Sequence, residues 1–384
     1  MTKSDEPLIG PQPVTPELFG SLMDLADRVF RAGSERSMLT DYPYFFRREN
    51  HLNLFIYRAG GRVVSHIGLL PVELSFFGHP VRVGMIGGVA TDPDHRGRGL
   101  ATKLLHHVFD YWRGLGGQLM MISGGRGLYI RNGARPVGAF EQYALETPAE
   151  TPRDVRLVLC TPDNAPLLSA LHRRKPFRFV RTIEEWRMNM AEKRCQGYPS
   201  DYYLVRRGGE PTAYFALTHR PDNEEGLCRM IEWGGHACDV IAALPKPAHK
   251  MGCKKTWWRL HLHETEARRD LLAAGAVSQG RALMQGTARI VCLEALMEAL
   301  SGYVREVLGE AHAAPLSFHT CGDEQFAIRY GPDELAVSGH AALIELLFGT
   351  GVDGLPGGIP AGPLCDTLKA LLPLTMAQYD MTYS

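Results

Sequence analysis

One stretch constrains the fold more than any other: Val89-Ala90-Thr91-Asp92-Pro93-Asp94-His95-Arg96-Gly97-Arg98-Gly99-Leu100-Ala101-Thr102-Lys103-Leu104-Leu105. A strand-like run ends at the turn Asp92-Pro93, and a polar loop follows. Two glycines then open a helix whose apolar face is Leu100, Leu104, Leu105, Val108, Phe109 and Trp112. Unpaired N–H groups at a helix start, with the positive end of its dipole, attract anions, and glycines let phosphate oxygens approach the backbone. Arg96 and Arg98 add local positive charge. The pattern predicts a strand–loop–helix unit built around a phosphate. A Walker loop is excluded because no Gly-Lys-Ser/Thr follows, and a dinucleotide fingerprint because Thr102 stands where glycine or alanine is required.

At 384 residues the chain is long enough for two or three domains, each with its own core. Hydrophobic residues make up 45% and charged residues 22%, which fits neither a disordered chain nor a membrane protein. Forty-two basic residues balance 42 acidic ones, so a partner held by bulk charge, nucleic acid or an anionic bilayer, is not expected. Any charged ligand must be recognised locally. The eight cysteines begin only at Cys160 and form no CxxC-like pair, which predicts scattered reduced thiols and no structural zinc. The polar start, without an apolar h-region, adds the expectation of a soluble cytoplasmic protein.

The proline-bearing stretch Thr147–Arg153 reads as a linker closing a first unit over residues 1–150. Within that unit the pattern predicts a helix over 16–31, strands over 52–57, 63–70 and 81–91, and the loop helix over 99–115. A buried strand over 118–123, a short helix near Leu128 and strands around 137–146 complete it. Residues 151–283 echo this order, because Val205-Arg206-Arg207-Gly208-Gly209-Glu210 aligns with Tyr57-Arg58-Ala59-Gly60-Gly61-Arg62 between two apolar runs. No glycine-and-arginine loop follows the second copy. A third unit over 284–384 opens with a helix over 293–308, continues with short strands around 316–320, 326–330 and 335–337, and carries a helix over 340–348 and the Gly-Pro-rich loop 349–363.

The loop resembles that of the GNAT superfamily of acyl-CoA-dependent N-acyltransferases, whose pyrophosphate motif Arg/Gln-x-x-Gly-x-Gly/Ala is met by Arg96, Gly99 and Ala101. Two such units followed by a small α+β unit like a sterol-carrier fold resemble the Eis family of acetyltransferases. That implies an α/β fold with mixed sheets: a catalytic GNAT domain, a degenerate GNAT-like domain, and a sterol-carrier-like domain whose tail docks toward the active site. The family's Leu/Ile-Tyr-x-Arg-x-Gly segment is matched by Leu128-Tyr129-Ile130-Arg131-Asn132-Gly133. The resemblance then implies that Val89, Ala90, Thr91 and the loop Arg96, Gly97, Arg98, Gly99, Leu100, Ala101 and Thr102 bind acetyl-CoA. It further implies that Tyr129 is the general acid and that the terminal carboxylate of Ser384 is the general base. No metal is implied. The acceptor would be a primary amine on an aminoglycoside-like small molecule or a lysine, and the protein a homo-oligomer, with hexamers in the family.

The chemistry is coherent. Aminolysis of a thioester requires a neutral amine, donors for an oxyanion and a proton for the leaving thiolate, and a tyrosine of pKa near ~10 can supply that proton. Each residue also has a plainer reading. Tyr129 could be a packing residue, and the alternating tail Tyr379–Ser384 could simply complete a sheet. The aromatic run Asp41–Phe46 suits either an acceptor pocket or core plugging. His261 and His263 read as solvated or interfacial rather than metal ligands, and His106 and His107 as surface residues. A non-catalytic acyl-CoA sensor that retains the fold is the alternative function.

Overall fold

Strand runs punctuated by Gly60-Gly61 and Gly78, each with a glycine in the left-handed region, set up the first sheet. The computed structural model describes residues 6–195, 197–219, 226–349, 351, 359 and 361–383. It divides into two units. The first runs to Gly138 and resumes over Met284–Met376, and the second holds Ala139–Leu283 and the chain from Ala377.

The first unit begins with β1 (Leu8–Pro13), α1 (Pro16–Phe30), α2 (Met38–Asp41), α3 (Pro43–Phe46), β2 (Leu54–Ala59) and β3 (Arg62–Phe76). It continues with β4 (His79–Thr91), α4 (Leu100–Gly114), β5 (Leu119–Ile122) and α5 (Gly127–Arg131). Pro16 starts α1 in the first turn as its fixed φ favours, after Thr15, which is extended at the N-cap and makes no side-chain cap bond. One face of α4 buries Leu100, Leu104, Leu105, Val108, Phe109 and Trp112 against the sheet, each burial contributing about 1.5–3 kcal/mol.

The second unit contains β6 (Phe140–Glu146), β7 (Val155–Leu159), α6 (Ala165–His172), β8 (Phe177–Val180), α7 (Ile183–Glu192), β9 (Arg194–Cys195) and β10 (Tyr198–Arg207). After these come β11 (Glu210–His219), β12 (Leu227–Gly235), α8 (Ala237–Ala243), α9 (Pro245–Lys250), β13 (Lys255–His261), α10 (Thr265–Ala273) and β14 (Val277–Ala282). Its sheet runs β14-β6-β13-β12-β11-β10-β7, with cores on both faces.

Back in the first unit are β15 (Thr287–Ile290), α11 (Leu293–Ala299), α12 (Ser301–Leu308), α13 (Glu310–Ala313), β16 (Leu316–Gly322), β17 (Gln325–Tyr330), β18 (Asp333–Ser338), α14 (His340–Phe348) and α15 (Pro363–Leu371). The first sheet has the order β1-β2-β3-β4-β5-β15, and β16-β17-β18 form a small antiparallel sheet. β4 and β5 pair in parallel in the first large sheet, matched by β12 and β13 in the second.

The repeat is structural. β2 pairs with β3 through a register shift between Tyr57 and Arg58, and β10 pairs with β11 through the same shift between Val205 and Arg206. Three expectations change. The helix over 293–308 breaks at Leu300 into α11 and α12. The tail over 377–383 is irregular rather than a strand, because Met381, Thr382 and Tyr383 are buried in succession instead of on alternate faces. The thiols are not all reduced, since Cys228 and Cys253 form a disulfide with Cα atoms 5.8 Å apart. Their separation of 25 residues has no short-motif signature, but Cys228 is registered opposite Thr256 on the neighbouring strand, which brings the two together. Among the described residues no helix is long and apolar enough to cross a membrane.

Candidate functional site

The loop predicted to hold a phosphate sits where two parallel strands part. β4 pairs with β5 over Val83–Ile86, and the Ser123 N–H reaches the Ile86 carbonyl at 3.1 Å. Among the described residues no β5 residue pairs with β4 beyond Ile86, so Gly87–Thr91 present backbone along the edge left by β5. On its other side β4 is tied to β3 by a bulge opposite His66 and Gly68, with Gly88 at φ +63°. Val89 and Thr91 are half-buried and Ala90 buried.

From Thr91 the chain enters a short 3-10 turn, Pro93–His95, capped by Asp92, whose side chain accepts from the Asp94 N–H at 3.1 Å. Gly97 and Gly99 follow at φ +77° and +73°, a region open to glycine at little cost. A Cβ on either would meet nothing within 4 Å, so the glycines are required for conformation and the space before them is empty. Gly99 caps α4 with no side-chain bond, leaving the N–H groups of Leu100, Ala101 and Thr102 without intrahelical acceptors. Arg96 and Arg98 are exposed, and Arg96 donates to the Thr91 carbonyl at 3.4 Å.

A cavity of about 480 Å³ adjoins this turn, bordered by Leu25, Arg28, Arg62, Asp92, Asp94 and Arg96. The buried Asp92 carboxylate lies 3.0 Å from Arg28 and 3.7 Å from Arg62, so these guanidinium groups are partly neutralised. Sequence reading missed Arg28, Arg62 and Asp92 as a group because α1, β3 and the turn after β4 each contribute one.

Tyr129, on α5, is 5% exposed and packs in the core beneath α4. Gly124 leaves room for its ring, since a Cβ there would lie 3.2 Å from Cε2. Burial raises the phenol pKa above its ordinary value, partly opposed by Arg126, so the hydroxyl keeps its proton through neutral pH. Ser384 lies outside the described residues.

The aromatic run over 41–46 is core plug. Asp41 is fully buried between Arg31 at 2.6 Å and Arg36 at 2.7 Å, and Tyr44, Phe45 and Phe46 are buried. Of the pair expected to be solvated or interfacial, His261 is not solvated: it is buried, its ring 5.3 Å from that of His263 and 5.0 Å from that of Phe140, and burial pushes its pKa down to about 3. His106 is exposed and His107 half-buried. Among the described residues no group of three or more His, Cys, Asp or Glu could hold a metal ion.

In the second unit the equivalent helix start is already occupied. At the equivalent strand end the Cys238 N–H at the start of α8 is taken by the Asp270 carboxylate at 3.2 Å. The neighbouring cavity of about 450 Å³ is partly self-neutralised, with Lys175 2.8 Å from Glu264 and over the Trp233 ring at 4.2 Å.

Comparison with known proteins agrees with this geometry. Residues 11–136 match the family described as an acetyltransferase (GNAT) domain. No curated protein sequence matches. A GCN5-related N-acetyltransferase from Anabaena variabilis is similar in structure at TM-score 0.65 and 14% identity, covering 96% of this chain and 98% of its own. One from Kribbella flavida gives TM-score 0.63 and 14% identity over 99% and 100% of the two chains. Eis1 from Mycobacterium abscessus gives 0.61 and 12% over 98% and 99%. At such identities what is shared is the fold.

Proposed function

Residues 11–136 being a GNAT acetyltransferase domain, we propose that this acyltransferase moves an acetyl group from acetyl-CoA to a primary amine by direct attack in a ternary complex. The observation that carries this reading is the open edge of β4 leading into a glycine loop and an uncapped helix start. The loop from Arg96 to Thr102 holds the pyrophosphate: backbone N–H groups donate to its oxygens, Gly97 and Gly99 permit close approach, and Arg96 and Arg98 supply charge. The edge at Val89, Ala90 and Thr91 binds the pantetheine amides and provides a donor for the thioester oxyanion.

Tyr129 then gives its proton to the departing thiolate. Its buried setting supports the role, because a phenol that holds its proton above the usual pKa stays an acid at working pH. The carboxylate of Ser384 takes the amine proton, as in the Eis resemblance. The acceptor is an aminoglycoside-like amine or a lysine side chain, and the enzyme works as a homo-oligomer in the cytoplasm, as the resemblance implies.

The test is CoA release from acetyl-CoA over a panel of amines. Wild type is compared with Tyr129→Phe and with a chain lengthened by one residue after Ser384. Loss of a general acid lowers kcat roughly 100-fold or more. An unchanged kcat in Tyr129→Phe removes Tyr129 from the mechanism, an unchanged kcat in the lengthened chain removes the carboxylate, and tight binding without turnover on any amine makes the protein a sensor.

A further inference from the structure

Arg289, on β15, is a buried cation that no carboxylate pairs with directly among the described residues. The residue is 7% exposed, and its Nε and Nη1 are closed to solvent with no hydrogen-bond partner among the described residues. Its guanidinium lies over the Phe109 ring of α4, 4.3 Å from the centroid. Burying a guanidinium unpaired is strongly unfavourable, so a group in this state points to a missing negative charge.

The surroundings offer a further unpartnered group and a helix start. His340, the first residue of α14, is half-buried with Nδ1 sealed and unpartnered, its ring 5.1 Å from that of Phe326. The same helix start has Gly339 at its N-cap, no side-chain cap and no acidic residue in its first turn, so its positive end is not neutralised from within. Gly133, at φ +80°, lets the chain after α5 press against it, since a Cβ there would come within 2.6 Å of the His340 Cβ.

Arg113 of α4, ion-paired with Asp110 at 2.9 Å, acts on both Arg289 and His340. Burial and then Arg113 push Arg289 down to about 10, and burial and then Arg289 and Arg113 push His340 down to about 3. The opposing charges acting on Arg289 are Glu324 and Asp110. Asp110 is engaged by Arg113 at 2.9 Å, and Glu324 lies in an exposed turn.

We propose that Arg289, His340 and the start of α14 form a binding site for a small oxyanion, a phosphate or carboxylate group. The site is distinct from the loop at Arg96. Phe109 and Arg113 lie nine and thirteen residues past the start of α4 at Leu100, about 14–20 Å along its axis. A planar guanidinium binds such a group through two parallel N–H bonds, and a neutral imidazole donates a third. The inference does not depend on the acetyl-CoA reading.

The test titrates inorganic phosphate, and separately sulfate, into the full chain at constant ionic strength against chloride, reading the midpoint of thermal unfolding and the heat of binding. Wild type should show saturable stabilisation. Arg289→Met should weaken binding at least tenfold, and His340→Asn should weaken it several-fold. The double variant Arg96→Ala, Arg98→Ala should keep the response, which separates this site from the cofactor loop. Without phosphate, Arg289→Met should be at least as stable as wild type, because an unpaired buried charge is gone. No response in wild type, or an equal response in Arg289→Met and His340→Asn, overturns the proposal. So does a drop in oligomer size in Arg289→Met, which would make the counter-charge a carboxylate of a second copy.

Discussion

At the residue scale, legibility depended on whether partners are close in sequence. Arg96, Gly97 and Gly99 could be read because loop and helix start are contiguous. Arg28, Arg62 and Asp92 could not, because they meet only when α1 packs on β3 and β4. His66 is a similar case, a lone histidine in an apolar strand with no spacing to flag it. It is fully buried, and its Nδ1 is 2.7 Å from the Gly88 carbonyl at the β4 bulge. Burial, opposed by that bond, pushes its pKa down to about 4. The unfolded chain takes up this proton near pH 6.5 and the folded chain only near 4. The contribution of His66 to stability is therefore full above pH 6.5 and lost as pH falls toward 4, by about 3 kcal/mol in all. His66→Gln, which keeps a donor for Gly88 but cannot titrate, should show less loss of stability between pH 7 and 5. Urea unfolding followed by hydrogen exchange of β3 peptides measures this, and equal losses in the two proteins would show that His66 is not the titrating group.

At the element scale, periodicity located β2, β4, β5, α1 and α4 to within a few residues, but it passed over β1 and β15 and ended β3 six residues early. It did not reveal which sheet each strand joins: β6 read as a strand of the first unit, yet it pairs with β13 and β14, while β15, which the reading did not pick out, pairs with β5. Partner choice is a long-range property that a period of two does not encode. Where a turn does encode something local, it can be tested in pairs. Gly99 at φ +73° and Gly208 at φ +59° both face open space, so alanine at either costs backbone strain of about 1–2 kcal/mol and nothing from crowding. Gly99 also aims the first N–H groups of α4. Gly99→Ala should therefore raise the KM for acetyl-CoA severalfold, whereas Gly208→Ala should lose similar stability and leave KM unchanged. Equal KM values in the two variants would mean that Gly99 shapes the fold and not the cofactor site.

At the scale of the whole molecule, the chain leaves the first unit at Met376 and its last described residues are bound in the second. Composition reported a net charge of zero, but that balance hides a buried excess of negative charge where this tail is held. Arg181 bonds Glu232 and lies 3.4 Å from Asp380, Asn189 donates to the Met381 carbonyl at 3.1 Å, and Met381 is fully buried in the core with Trp186 and Tyr214. One guanidinium faces two carboxylates, with the tyrosines Tyr202 and Tyr214 close by and a neutral His172 bonded to Tyr214. Burial, and then Glu232 against the pull of Arg181, pushes Asp380 up to about 6. Glu232, bonded directly to Arg181, is held down at about 2 despite its burial. The two carboxylates therefore act in opposite senses. Glu232 stabilises the fold above its unfolded pKa near 4.5 and loses this as pH falls toward 2. For Asp380 the folded state holds the proton more tightly, so stability is greatest below its unfolded value near 3.8 and declines as pH rises through about 6. Asp380→Asn, which can keep accepting from the Thr382 N–H, should equal wild type at pH 4 and exceed it at pH 8 by about 2–3 kcal/mol. Glu232→Gln should instead destabilise at every pH above 5, because Arg181 then depends on the more distant Asp380 alone. Four of the five tryptophans, Trp186, Trp233, Trp257 and Trp258, lie in the second unit, so fluorescence-detected urea unfolding of the full chain reports mainly on it. If Asp380→Asn loses stability at pH 8, then Arg181 needs both carboxylates, and the tail is held by charge pairing rather than in spite of a surplus charge.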